Sequence, residues 1–396
     1  MKHLIKSTII LTISNVLTRV LGMLFFVILA RAMSVVEYGD FRFLLTLSMI
    51  YGIAFSGIPT ALTKYFSQNK KQEYVDNSIL LMGAIYIILV IIIFLFENNP
   101  ILLSLFIFSF LVDSFYTGFS MGIFNIVKLS GFKLLENVIQ LAILIIAYIL
   151  YKQINFSFAI IFYCFSGILS LWLFELWNHE LKFKFNFSKE VSKKIFKFSM
   201  PLLLGAVGWS ILFGIDTIYV KMFLGSEYVG YLSVGFTIVQ VFTFLPTAIT
   251  TILLPKASTI KDKKRITKPL NLALIGTSVV SLILLIFLIF LKESIINIIF
   301  GQKYIISASV IIPLAIGLIF ITLHQIYSAV FQGFDKPKIP SITILVSAII
   351  NIIIGYFLVQ SHGIIGAAIA NMVSCFVAFV MIIIYYHKMN KENKYL

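Results

Sequence analysis

The amino-acid sequence predicts an all-α integral membrane protein: about twelve transmembrane helices in two pseudo-symmetric six-helix lobes, with both termini in the cytoplasm. Three observations carry this expectation. Of 396 residues, 60% are hydrophobic and 12% charged, and the mean hydropathy is +1.03, outside the range of soluble globular domains. The apolar residues gather in runs that meet the roughly 20 residues a helix needs to cross a bilayer, without the short alternating pattern of a membrane barrel. Finally, the chain carries its motifs twice in one order.

The crossings are placed at 8–31, 41–63, 78–96, 100–122, 134–151, 157–177, 198–222, 230–254, 270–291, 306–331, 339–359 and 363–386. Residues 1–177 form a first lobe, 178–197 a basic cytoplasmic linker and 198–396 a second lobe. The first run is too long, and too interrupted by Arg19, to read as a cleaved signal peptide. The net charge of +15 does not read as a nucleic-acid surface. A cytoplasmic N-terminus puts most of the lysines on the cytoplasmic side, including the six from Lys182 to Lys197 and Lys133 before the fifth crossing, which is the positive-inside pattern. Cys164 and Cys375 fall inside spans and imply no disulfide framework.

The duplication shows in "PTALT" at 59–63 and "PTAIT" at 246–250, in "EYGDF" at 37–41 and "EYVGY" at 227–231, and in "IIAYIL" at 145–150 and "IIGYFL" at 353–358. Six crossings per unit make the repeats parallel, an arrangement on which secondary transporters are built. Pro59 and Pro246 each remove a backbone hydrogen bond and are expected to bend the second helix of each lobe.

Polar groups inside the spans are the candidate functional residues, because a central charge costs about 3 kcal/mol or more. Thr8, Thr12, Asn15 and Arg19 share one face of the first helix, as a cavity wall would; an ion pair of Arg19 with Asp113 is the structural alternative. The stripes Ser48, Gly52, Ser56, Thr60, Thr63 and Ser233, Thr237, Gln240, Thr243, Thr247, Thr250 fit either cavity lining or close helix packing. Asp216 is read as a site for a coupling cation, sodium or a proton, or as a partner of Lys221, and Asn351, Asn371 and Ser374 could add neutral oxygens. Glu136, Asn137 and Gln140, with His324, Gln325, Ser328 and Gln332, complete the set; His324 reads as hydrogen-bonded structure rather than a proton switch. There is no DxD, HExxH or P-loop, so an enzyme is not expected and no cofactor beyond a coupling cation is implied.

The segments "LTRVLGMLFFVILARAMSVVEYGDF" at 17–41, "GIDTIYVKMFLGSEYVGYLSVG" at 214–235, "IINIIFGQKYIISAS" at 295–309, "FQGFDKPKI" at 331–339 and "HGIIGAAIANMVS" at 362–374 resemble the polysaccharide transporters, or Wzx-type O-antigen flippases, of the superfamily that also holds the lipid II flippases and MATE exporters. The resemblance implies a multi-pass plasma-membrane protein. It would move an isoprenoid-pyrophosphate-linked oligosaccharide, a polysaccharide repeat unit, from the cytoplasmic to the outer leaflet by alternating access. It implies Arg19 as the pyrophosphate ligand; from their place in the spans, Thr12, Asn15, Gln240 and Gln325 are read as binding substrate beside it, and Asp216, Asn351 and Asn371 as coupling an ion. Its partners would be membrane lipids, a polysaccharide polymerase or glycosyltransferases, with no nucleic acid, and the chain would act as a monomer. A MATE-like cation-coupled exporter of small amphiphiles is the alternative; a membrane-embedded polymerase or glycosyltransferase ranks behind it.

Overall fold

A computed structural model describes residues 2–69, 71–97, 99–123, 126–178, 184, 186–244, 249–250, 253, 257, 266–334 and 336–392; the side chains of 2–13, 15, 69, 126–128, 174, 176–178 and 390–392 fall outside that description. The described residues are helical with no strand. Eight of these helices are long and apolar enough to cross a membrane, or nine when Val35–Phe55 and Gly57–Gln68, bent by 45°, count as one span. The chain divides into two compact units, Met1–Ala206 and Val207–Leu396.

The first unit holds α1 (Lys2–Ala32), α2 (Val35–Gly52), a 3-10 turn (Ile53–Phe55), α3 (Gly57–Asn69), α4 (Gln72–Phe96), α5 (Pro100–Gly122), α6 (Ile126–Tyr151) and α7 (Phe156–Asn178), and the start of α8 (Lys189–Leu224). Helix α1 packs on α6, α2 and α3 pack on α5, and α6 packs on α7. Part of the repeated "EYGDF" turns out to be a helix start: Ser34 Oγ accepts from Glu37 N at 3.2 Å and Glu37 Oε2 accepts from Ser34 N at 3.2 Å, the reciprocal capping of two orphan donors.

The bend in the second crossing falls at the 3-10 turn rather than at Pro59, which sits in the first turn of α3. The physical cause is still the proline, whose ring excludes the carbonyl four residues earlier, here that of Phe55. In the second unit another 3-10 turn, Gln240–Thr243, opens 187 residues after Ile53, the interval that separates Pro59 from Pro246. Pro246 itself, with Thr247, lies outside the described residues. "PTALT" is a packing seam: the hydroxyl of Thr63 donates to the carbonyls of Pro59 at 3.0 Å and Gly118 at 2.9 Å. A Cβ on Gly118 would stand 2.6 Å from Pro59 O, so only glycine lets α5 approach this closely.

Several helices overrun the hydropathy runs that announced them. Helix α6 begins at Ile126, and Lys133 is a helical residue facing α5 instead of a loop charge. Helix α8 begins at Lys189, inside the stretch expected as a linker. The residues ahead of it are clasped by α4: Asn77 Oδ1 accepts from Ser188 N at 2.9 Å and Ser192 Oγ at 2.8 Å, and Asp76 accepts from Lys184 N at 3.3 Å. Hydropathy reads only the apolar part of a helix, so amphipathic ends escape it.

The second unit holds the rest of α8, α9 (Ser226–Val239), α10 (Thr267–Ile299), α11 (Ala308–Gly333) and α12 (Lys338–Glu392). The last is two helices meeting at Gly363, whose φ of 60° and ψ of −139° a side chain would strain. The halves fold back on one another: Ser347 Oγ bonds Ser374 O, and a Cβ on Gly355 would lie 3.8 Å from Ala370 Cβ. Helix α11 packs against this hairpin, where a Cβ on Gly317 would stand 3.0 Å from Met372 Cα.

Candidate functional site

Among the described residues, each unit contains a cluster of intramembrane polar groups that apolar surroundings would otherwise reject. In the first, five helices enclose a cavity of about 220 Å³ lined by Thr18 of α1, Leu45, Ser48 and Met49 of α2, Phe106, Ser109, Phe110 and Asp113 of α5, Lys133, Glu136, Asn137 and Gln140 of α6, and Tyr163 of α7. The spacing of Lys133, Glu136, Asn137 and Gln140 puts all four on one face of α6. Lys133 Nζ forms an ion pair with Asp113 and lies 3.6 Å from Glu136 Oε2. The three charged side chains keep 19 to 29% of their surface exposed, so hydration offsets part of what burial costs them. Tyr163 is fixed from behind by Phe106 at 5.4 Å and Phe25 at 5.8 Å between ring centroids.

The second cluster is sealed. Asp216 of α8 is fully buried, as are Asn351 and Asn371 from the two halves of α12. Asn351 Nδ2 donates to Asp216 Oδ1 at 3.2 Å and Asn371 Nδ2 donates to Oδ2 at 3.0 Å; each amide also donates to Leu212 O, at 3.1 and 2.9 Å. Two neutral amides thus hold one carboxylate and the carbonyl of Leu212, one helical turn before it. Asn351 Oδ1 is buried without a hydrogen-bond partner, which leaves an oxygen beside the carboxylate.

The structure therefore gathers Asp216, Asn351 and Asn371, which sequence reading grouped, and it gives Asp216 amide partners where Lys221 was the alternative; Lys221 donates to Ser226 Oγ. Asp113, named as a partner for Arg19, is paired with Lys133. Arg19 is half-buried, next in sequence to the cavity residue Thr18. The side chains of Thr12 and Asn15 lie outside the described residues. Gln240 is exposed at the start of its 3-10 turn, and Gln325 is half-buried on α11. The two glutamines belong to neither cluster. His324 is fully buried and bonded to Thr343 Oγ1 at 2.8 Å. Lys133 is the residue that sequence reading missed; its local signal was Glu136, three positions on and within helical reach, while Asp113 is brought to it from α5.

Comparison with known proteins places these clusters in context. A family model described as polysaccharide biosynthesis protein matches residues 4–261, and the MatE model matches residues 201–357. An uncharacterised membrane protein of Methanocaldococcus jannaschii is 24% identical over 96% of each chain. A putative O-antigen transporter of Shigella flexneri is 24% identical over 47% of this chain and 44% of its own. The chain spans 43% of the length of a second membrane protein of the same archaeon. Among solved structures, a lipid II flippase in an inward closed conformation superposes with a TM-score of 0.79 at 18% identity, covering 96% of this chain and 87% of that one, a likeness of fold.

Proposed function

The chain belongs to the polysaccharide biosynthesis protein family of multi-pass membrane transporters, and from that premise we propose that it is a flippase. It carries an isoprenoid-pyrophosphate-linked oligosaccharide from the cytoplasmic to the outer leaflet of the plasma membrane. The observation that carries this reading is the cavity in the first unit, where a solvent-reachable charged cluster stands among helices of a membrane-spanning type. A polar headgroup needs such a surface to replace its water inside a bilayer.

In this reading twelve crossings form two lobes of six, both termini are cytoplasmic, and one lobe rocks against the other as the headgroup passes. Arg19 engages the pyrophosphate, since a guanidinium offers a permanent charge and a forked donor set matched to phosphate. Outward movement of an anionic headgroup is favoured by an inside-negative potential, worth about 2.3 kcal/mol per charge per 100 mV. Asp216, Asn351 and Asn371 hold the coupling cation. The donor set fits: the unpaired Asn351 Oδ1 already sits by the carboxylate, and rotation of either amide by half a turn exchanges a donor for an oxygen. Membrane lipids and the enzymes that build or polymerise the oligosaccharide are its partners, and it works as a monomer.

Proteoliposomes with a fluorescent lipid-linked oligosaccharide test the reading. Arg19→Ala lowers the translocation rate by about tenfold or more, and Arg19→Lys restores part of it. Full activity in both variants would remove Arg19 from the mechanism. The second reading, an exporter of small amphiphilic cations, draws on the MatE match over residues 201–357; uptake of a fluorescent cation into inverted vesicles, with no translocation of the glycolipid, would favour it.

A further inference from the structure

We infer that the first unit carries, at the end where α3 stops and α4 and α8 start, a site for the phosphate of an anionic phospholipid headgroup. This goes beyond the flippase reading and does not depend on what the chain carries. The site is built around one ring. Tyr65 of α3 is buried and stacks on Tyr74 of α4, with 5.3 Å between centroids and 19° between planes, while Phe198 of α8 meets it edge-on at 5.7 Å. Two ammonium groups flank these rings. Lys194 Nζ lies 4.5 Å from the Tyr65 centroid and donates to Tyr74 Oη at 3.2 Å; Lys64 Nζ lies 4.1 Å from the Phe198 centroid and 5.5 Å from that of Tyr65. Neither lysine pairs with a carboxylate among the described residues, and Glu190, one turn before Lys194 on α8, is exposed and bonds to neither.

An aromatic face holds a cation without neutralising it, so the contacts that fix these two side chains leave their charge for a ligand. Both lysines are exposed, and an ammonium has three donors, of which Lys194 spends one on Tyr74. The backbone beneath them is fixed as well. Asp76 and Asn77 clasp the residues that lead into α8, and a Cβ on Gly57 of α3 would stand 2.6 Å from Ser199 O of α8. Cations already in place lose little freedom when an anion arrives. Position selects the anion. Lys64 follows the apolar part of α3, Lys194 precedes the apolar run of α8 that opens at Phe198, and Tyr74 precedes the run of α4 that opens at Ile79. Rings and ammoniums therefore stand at headgroup level, where tyrosines gather and where the surface charge of a membrane resides. A zwitterionic headgroup would bring an ammonium of its own against the two lysines, which is discrimination by an adverse contact.

Native mass spectrometry of the full chain released from detergent micelles tests the site, with phosphatidylglycerol, phosphatidylcholine of the same acyl chains and inorganic phosphate as probes. Phosphatidylglycerol is expected to stay bound and the other two to be lost. Lys64→Gln combined with Lys194→Gln weakens phosphatidylglycerol about tenfold or more. Arginine at both positions retains it, and so does Lys193→Gln, which removes a neighbouring exposed lysine that touches none of the three rings. Should the double variant lower the melting temperature, Lys64→Gln alone is expected to give about a threefold loss. Equal retention of phosphatidylcholine overturns the site, as does an equal loss from Lys193→Gln, which would make the attraction diffuse. Inorganic phosphate bound as tightly as the lipid would assign the lysines to a soluble anion. An isoprenoid diphosphate that displaces phosphatidylglycerol, and is itself weakened by the double variant, would assign them to a carried lipid; either result rejects the phospholipid.

Discussion

The two clusters handle charge in opposite ways. In the first unit, Asp113, Lys133 and Glu136 are stabilised by opposite charge and by solvent, and the cavity around them stays accessible. In the second, no cation pairs with Asp216 among the described residues; neutral amides from Asn351 and Asn371 hold it and solvent does not reach it. The two units therefore hold charge in two ways, one in an accessible polar cavity and one in a sealed cluster of neutral donors. What separates them is access together with the partner of the carboxylate, an ammonium in one and neutral amides in the other.

The sharpest way to break this contrast is to remove an amide from the sealed cluster. Asn371→Leu leaves a fully buried carboxylate one donor short and leaves Leu212 O with one donor fewer, and it should destabilise the protein by about 2–3 kcal/mol. Thermal unfolding in detergent would read this as a clear drop in melting temperature. An unchanged midpoint would mean that solvent enters the cluster and that the difference between the two sites is smaller than the distances indicate.

A smaller effect is expected from Lys133→Met. The two carboxylates lose their cation, but partial exposure lets water compensate, so the cost should be about 1 kcal/mol. Combining it with Asp113→Leu should recover much of that loss in a double-mutant cycle. A loss from Lys133→Met as large as that from Asn371→Leu would show that the open cavity is in effect closed. The smallest expected change lies outside both clusters. Ser34→Ala removes the cap of α2 and costs about 1 kcal/mol or less at its exposed position, giving a scale for a purely local contact.

Much of this was legible in the sequence. Asp216, Asn351 and Asn371 stand out because polar residues are expensive in apolar spans, and sequence reading grouped them before their helices were placed. The repeated prolines announced the irregular second crossing, although the break appears one turn earlier, at the residues whose carbonyls a proline displaces. The open cluster was harder to read. Lys133 lies just ahead of the apolar part of α6, where a lysine looks like a topology marker, and only the helix that begins at Ile126 turns it toward Asp113. The clasp of Asp76 and Asn77 on residues 184–192 was invisible for a related reason. It joins residues more than a hundred positions apart, and neither periodicity nor composition carries such pairings.

One consequence of the turn at Gly363 concerns register. Asn351 and Asn371 belong to the two arms of a single hairpin, 12 residues before and 8 residues after that glycine, or about 18 and 12 Å along their helices at 1.5 Å per residue. Which amide faces which carboxylate oxygen is thus decided at a distance, by a backbone conformation that only glycine adopts without strain. Inserting or deleting one residue at the turn would rotate Asn371 by about 100° around its helix, leaving every local contact of that arm plausible and the carboxylate of Asp216 half unheld.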